Sequence, residues 1–397
     1  MKSATPWSLT TAVVVALLAT SAGAGPLERD RAKRIHDRLV GVPPTPAMLN
    51  DLEADLMIPD VRGAALRAMS NPEFYTTALK GWITPWTNEA ETGYAPLNDY
   101  TATVIGIVRD GRPFTEVLYE DVVYIGDEVA LGIAPYSLDS NLHYEQMEEM
   151  HADLSDPDIL VRRSQSNLNP QLASSEAAGV LTTRAAGEAF YSAGTNRRVW
   201  RYTAMNYLCR DMENLHDITR PADRVRQDVS RSPGGDSSVF LNLCVGCHAP
   251  MDAVAGAFAY FEWVPDPADP DNRGHLAHTS GEVTGKHLIN DTTFPFGYIT
   301  TDNRWDNYWR DGDFSQLGWN GPAGGGWGVR TLGIEVASSD AFAECQVEKV
   351  FERVCFREPA DATERAEVKR ISDDVFVPSN YDLREAFAAV AEYCMDD

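Results

Sequence analysis

One stretch of this 397-residue chain has residue types and spacing that point to a definite chemistry: Cys244-Val245-Gly246-Cys247-His248. Two thiols three positions apart at the start of a helix can each add to a haem vinyl group. The histidine that follows then presents an imidazole to the iron, so the run reads as a c-type haem attachment site. Two other readings of a CxxC pair lack their supporting residues. A zinc site needs a second pair of ligands, and Cys209, Cys345, Cys355 and Cys394 are isolated in the sequence. A thioredoxin-like dithiol needs the pair to follow a strand in an α/β pattern, and none is recognisable. The expected cofactor is therefore one covalent haem c, bonded through Cys244 and Cys247, with His248 as an axial ligand of the iron.

The ligand on the other side of the iron decides the chemistry. A Met or His there closes the metal and favours electron transfer, whereas an open position permits peroxide or oxygen chemistry. Met251 is too close to the motif to cross the ring, and the only later methionine is Met395. His275, His278 and His287 follow the motif, and His287 is the first choice as distal ligand. Met205, Met212 and His216 are the upstream alternatives. Each also has an ordinary reading, the histidines as polar loop residues and Met205 and Met212 as core.

The elements around the motif must hold it. Arg231-Ser232-Pro233-Gly234-Gly235-Asp236-Ser237-Ser238 is a turn that ends in good helix-capping residues. It runs directly into Val239 to Leu243 and the motif, so the cysteines belong on a helix with an explicit start. Residues 249 to 262, Ala-rich and then aromatic, can wall a pocket. The Trp- and Gly-rich run 301 to 330 is expected to cover the haem edge, and residues 282 to 300 to form a small hairpin. Upstream, Arg198 to Leu215 reads as a helix carrying Cys209 and Met212, and Ser174 to Phe190 as another.

Further from the motif the chain is mainly helical. Thr45 caps a helix with Pro46 at its first position, Asp60 caps the next, and a third starts near Asn71. Trp82 to Asn88 reads as a loop whose two tryptophans fill core, and Leu97 to Val108 as a helix. Glu145 to Leu154 carries four carboxylates and His151, a set that can bind metal but reads better as a solvated acidic face. The loop from Asp266 to Asn272 lacks the EF-hand spacing and reads as surface. Ser339 caps a helix containing Cys345 and Cys355, and Asp361 and Asp382 open two more. The fold class is thus mainly α with little β structure: a helical N-terminal region over 25–170 and a cytochrome c-like haem domain over 171–397.

Residues 1–24 have a charged start, a short apolar run and Ala22-Gly23-Ala24, the pattern of a secretory signal peptide. That predicts a periplasmic or secreted protein. No later stretch is long and apolar enough for a transmembrane helix. In an oxidising compartment the four cysteines outside the motif should form two disulfides. Cys345 and Cys355 are ten residues apart in one helix, about 15 Å at the helical rise, too far to bond each other. Each must pair with Cys209 or Cys394, which leaves two connectivities. The net charge of −25 argues against nucleic acid and anionic membranes; it suits a salty habitat or docking to a basic redox partner, and reads first as a solvated surface.

Within 200–397 the chain resembles the planctomycete-type cytochrome c domain proteins, a largely uncharacterised group of secreted haem proteins. The resemblance is carried by Cys244-x-x-Cys247-His248 followed by Met251-Asp252 and Gly256, and by the helix around Ala343 to Val354 before Arg357. Upstream, Gly41-Val42-Pro43-Pro44 and Phe74-Tyr75 look like the helical segment that precedes the haem domain in such proteins. Asp252-Ala253 departs from the Asp-Pro common in that group. The resemblance implies haem and a helical fold. The expected function is periplasmic electron transfer through the one haem. The alternatives are a haem enzyme with an open distal side, of peroxidase or oxygenase type, and a haem subunit of a larger periplasmic redox complex. No Gly-x-Ser-x-Gly is present, and no spacing links Ser, His and Asp for hydrolase chemistry.

Overall fold

Helix starts are set locally by side chains that accept the first unpaired backbone N–H groups. In a computed structural model describing residues 26–58, 60–192, 194–269, 273–287, 293–322 and 324–396, Thr45 accepts from Met48 N–H and opens Pro46–Met57. Asp60 opens Val61–Ala68, and Asn98 opens Asp99–Arg109. Ser339, Asp361 and Asp382 do the same for Asp340–Cys355, Ala362–Ile371 and Leu383–Cys394. Among the described residues the fold is mainly helical, with three two-stranded antiparallel sheets. The signal-peptide segment lies outside the described residues.

The two ends of the chain pack together. Pro26–Val40 and Val61–Ala68 lie against Leu383–Cys394. Phe387 is in edge contact with Phe74 and Trp82, at ring-centre distances of 5.3 and 5.4 Å. Arg31 pairs with Asp396 at 2.6 Å, and the Arg34 guanidinium donates to the Met395 carbonyl at 2.7 Å. One continuous apolar core runs from Ala32 to Cys394. The C-terminal helices supply the apolar surface against which the N-terminal helices pack.

Several expectations are corrected. Trp82 to Asn88 is not a loop: Lys80–Ile83 is helical and Thr84–Thr87 is a 3₁₀ turn, and Trp86 is buried against Trp82. Over Ser174 to Phe190 only Gly179–Thr182 and Arg184–Phe190 are helical. The helix expected to reach Leu215 is Arg197–Leu208. It ends where Cys209 takes a left-handed conformation, φ 52°, while bonded to Cys345. A hairpin lies upstream of the expected one: Phe261–Pro265 pairs with Gly274–His278, while residues 288–292 of the expected hairpin lie outside the described residues. Over 282–300 the described residues contain a 3₁₀ turn, Gly285–His287. Trp305, Trp309 and Trp319 are buried, and Trp327 is exposed.

The disulfides are Cys209–Cys345 and Cys355–Cys394, with Cα separations of 5.3 and 5.6 Å, which selects one of the two open connectivities. Among the described residues no helix is long and apolar enough to cross a membrane. In the acidic run, Glu148 pairs with Lys80 and accepts from Leu97 N–H at 2.8 Å. Among the described residues no group of three or more His, Cys, Asp or Glu side chains converges as a metal cage.

Candidate functional site

The motif sits where the sequence places it, on a helix with a start signal. The Asp236 carboxylate accepts from Ser238 N–H at 2.8 Å. The chain then winds through a π-helical turn, Phe240–Cys244, into Val245–Ala255. Phe240, Val245 and Ala249 bury one side of this run against Val225 and Val229. The strand Arg304–Asp306 and the turn Tyr308–Arg310 also pack on Val245–Ala255. Behind that turn Trp309 stacks on Trp200 at 5.4 Å, and its indole N–H donates to the Leu215 carbonyl at 2.9 Å.

Cys244 and Cys247 are half-buried and unpaired, in contrast to the other four cysteines. Burial pushes the Cys247 thiol up, and the acidic Glu213 and Asp211 add to this. Leu241 and Leu243 stand exposed, 58% and 73%, on the same helical run. They precede Cys244 and Cys247 by three and four residues, so each neighbours a cysteine on the helix surface. The cavities of about 500, 440 and 300 Å³ lie elsewhere, and the motif cysteines do not line them.

Pro250 has a definite effect here. Lacking an N–H, it leaves the carbonyl four residues back, that of Gly246, without its helical partner. Asp217 N–H fills the vacancy at 2.9 Å. The bond docks the 212–217 segment on the motif: the Cys247 thiol faces the Met212 carbonyl at 3.5 Å, and the His216 ring lies so close over Gly246 that a methyl there would collide with it. Of the distal candidates, Met212 and His216 thus border the motif directly.

His287, the first choice, is placed differently. It is buried, with Nδ1 facing an Arg226 guanidinium N–H at 2.5 Å and Nε2 beside the Asn196 amide at 3.4 Å. Burial, reinforced by Arg226, pushes its pKa down to about 2. A guanidinium can only donate, so in this arrangement the ring's lone pair lies on Nδ1 and is spent on Arg226. His275 pairs with Asp139 at 2.9 Å, and His278 lies against the Phe261 ring at 4.5 Å. Met251 is buried on the motif helix itself, and Met205 packs against the core.

Behind His248 lies a group that the motif reading did not assign. Asp252, one helical turn on, has a fully buried carboxylate, and its Oδ1 is 3.4 Å from His248 Nδ1. Arg197 grips Asp252 with both arms of its fork, Nε at 2.5 Å and Nη2 at 2.9 Å. The same guanidinium holds Asp228 at 2.6 and 2.9 Å. Arg226 N–H gives Asp252 a further bond at 3.1 Å. Burial opposes ionisation of Asp252, but the Arg197 guanidinium overrides it and holds the carboxyl well below the usual range. An ionised carboxylate can only accept. In a hydrogen bond between the two, Nδ1 of His248 is therefore the donor, and the tautomer protonated there presents the Nε2 lone pair. Sequence reasoning had a signal for Asp252 in its four-residue spacing from His248. It had none for Arg197 or Asp228.

The chain matches no family model, no curated protein and no solved structure.

Proposed function

We propose that this chain is an exported c-type cytochrome that carries one haem, bonded to Cys244 and Cys247 and ligated by Nε2 of His248, and uses it for electron transfer. The observation behind the reading is the motif's state. Two unpaired thiols share the start of a helix with a histidine whose Nδ1 is taken by a buried carboxylate and whose Nε2 is free of any hydrogen bond among the described residues. Bound there, haem iron supplies a one-electron couple. The chain's own residues do the rest. Cys244 and Cys247 anchor, Asp252 fixes the tautomer of His248, and Leu241 and Leu243 offer apolar surface to a large flat group. The resemblance to planctomycete-type cytochrome c domain proteins and the two disulfides agree with an exported haem protein. The charge of −25 suits docking to a basic redox partner.

A second reading, a haem enzyme with an open distal side, is favoured by one observation: a charged acceptor on Nδ1 makes His248 a more basic ligand, which stabilises oxidised iron. Two measurements test the proposal. The double variant Cys244→Ala, Cys247→Ala should lose all haem that survives acid–acetone extraction, and resistant haem in that variant ends the reading. In the wild type, a low-spin reduced spectrum indifferent to carbon monoxide supports electron transfer. Rapid carbon monoxide binding after reduction selects the open-site enzyme.

A further inference from the structure

We infer that Asp252 is a positioning residue for the axial ligand: through Nδ1 it fixes the tautomer and orientation of His248 and lends the ring anionic character, drawing the iron couple toward the ferric state. This rests on the haem reading above. The argument is geometric. His248 and Asp252 are one turn apart on Val245–Ala255, so their side chains share a face. The Asp252 carboxylate is wholly buried and cannot turn to solvent. Arg197 clamps both its oxygens, and Arg197 is itself clamped by Asp228, so neither carboxylate nor guanidinium is free to swing. Carboxylates in this relation to a metal-bound imidazole orient the ring and raise its basicity, and removing them typically changes metal affinity 10–100-fold. Arg197 and Arg226 balance Asp252 and Asp228 in charge, so what distinguishes Asp252 from Asp228 is its contact with His248, not net charge.

That difference supplies the test. Wild type, Asp252→Asn and Asp228→Asn are produced with the haem-attachment machinery and checked for covalent haem on denaturing gels. Their reduction potentials and the ¹⁵N resonance of His248 Nδ1 in histidine-labelled reduced protein are then measured. Asp252→Asn should retain covalent haem and shift the ferric/ferrous equilibrium about tenfold toward ferrous, about 59 mV for one electron. It should also move the Nδ1 resonance away from the imidazolate side. Asp228→Asn removes the same charge from the far side of Arg197 and should leave that resonance where the wild type has it. An unmoved resonance in Asp252→Asn, or an equal movement in both variants, overturns the assignment. Should Asp252→Asn fail to accumulate, the wild-type resonance decides, and a position typical of a neutral hydrogen-bond acceptor overturns the assignment. A wild type without covalent haem overturns the haem reading, and the role of Asp252 with it, so the two failures are distinguishable.

Discussion

Replacing Arg197 by Met tests whether the charge network behind the motif holds the fold together. The guanidinium makes five side-chain bonds of 2.5–2.9 Å: two to Asp252, two to Asp228 and one to Thr195 Oγ1. Arg197→Met keeps much of the apolar stem and removes all five. Asp252 would then be a buried carboxylate held by Arg226 N–H and His248 alone. Breaking a buried ion pair by deleting one partner costs about 3–5 kcal/mol, a large part of the roughly 5–15 kcal/mol that holds a typical protein folded. The assay is equilibrium urea unfolding, with the loss read from the midpoint at unchanged m. Arg197→Lys should fall in between, since an ammonium keeps the charge but cannot fork onto two carboxylates. The pH dependence sharpens the test. Asp252 and Asp228 are both depressed below their unfolded values, against the opposing effect of burial. Their contribution is therefore present above the unfolded carboxylate pKa and lost as pH falls through the folded ones. The deficit of Arg197→Met should accordingly shrink as pH is lowered from 6 toward 3. A deficit below about 1 kcal/mol at pH 7, the size expected of an exposed pair, or one that grows in acid, refutes the reasoning.

Two further outcomes follow from the packing. Gly333 lies in Gly328–Ala337, and a methyl there would strike the Leu118 carbonyl oxygen of the neighbouring 3₁₀ turn. Gly333→Ala should destabilise by about 1–3 kcal/mol as an overpacked contact, and an unchanged melting temperature contradicts that. The Cys209–Cys345 bond spans 136 residues and Cys355–Cys394 spans 39. In the chain-entropy account they contribute about 5 and about 4 kcal/mol, so removing the first pair should cost more in urea unfolding, and the reverse order argues against entropy as the source.

The mainly helical class, the helix starts at Thr45, Asp60, Ser339, Asp361 and Asp382, and the helical setting of Cys244-x-x-Cys247-His248 are legible in the sequence. Their causes act within one turn: a cap accepts an N–H two or three residues on, and two thiols three apart share a face by helical geometry. The impossibility of a Cys345–Cys355 bond was local in the same sense, whereas the choice between the two remaining pairings needed the fold. Other features had no local cause. Trp305 and Trp309 look alike in sequence whether they cover a cofactor or fill a core, and only the fold buried Trp309 against Trp200 and the Leu215 carbonyl and Trp305 against Thr331. His287 stood in sequence just before the aromatic-rich run, yet Arg226, 61 residues before it, takes its Nδ1. Asp252 stood in view four residues after His248, but its ionised, fixed state depends on Arg197, 55 residues upstream, which Asp228 holds in turn. A carboxylate's charge in a protein interior is set by what the fold brings within hydrogen-bond reach. The sequence by itself therefore determined that Cys244, Cys247 and His248 share the start of a helix, and the tertiary structure decided what stands behind His248.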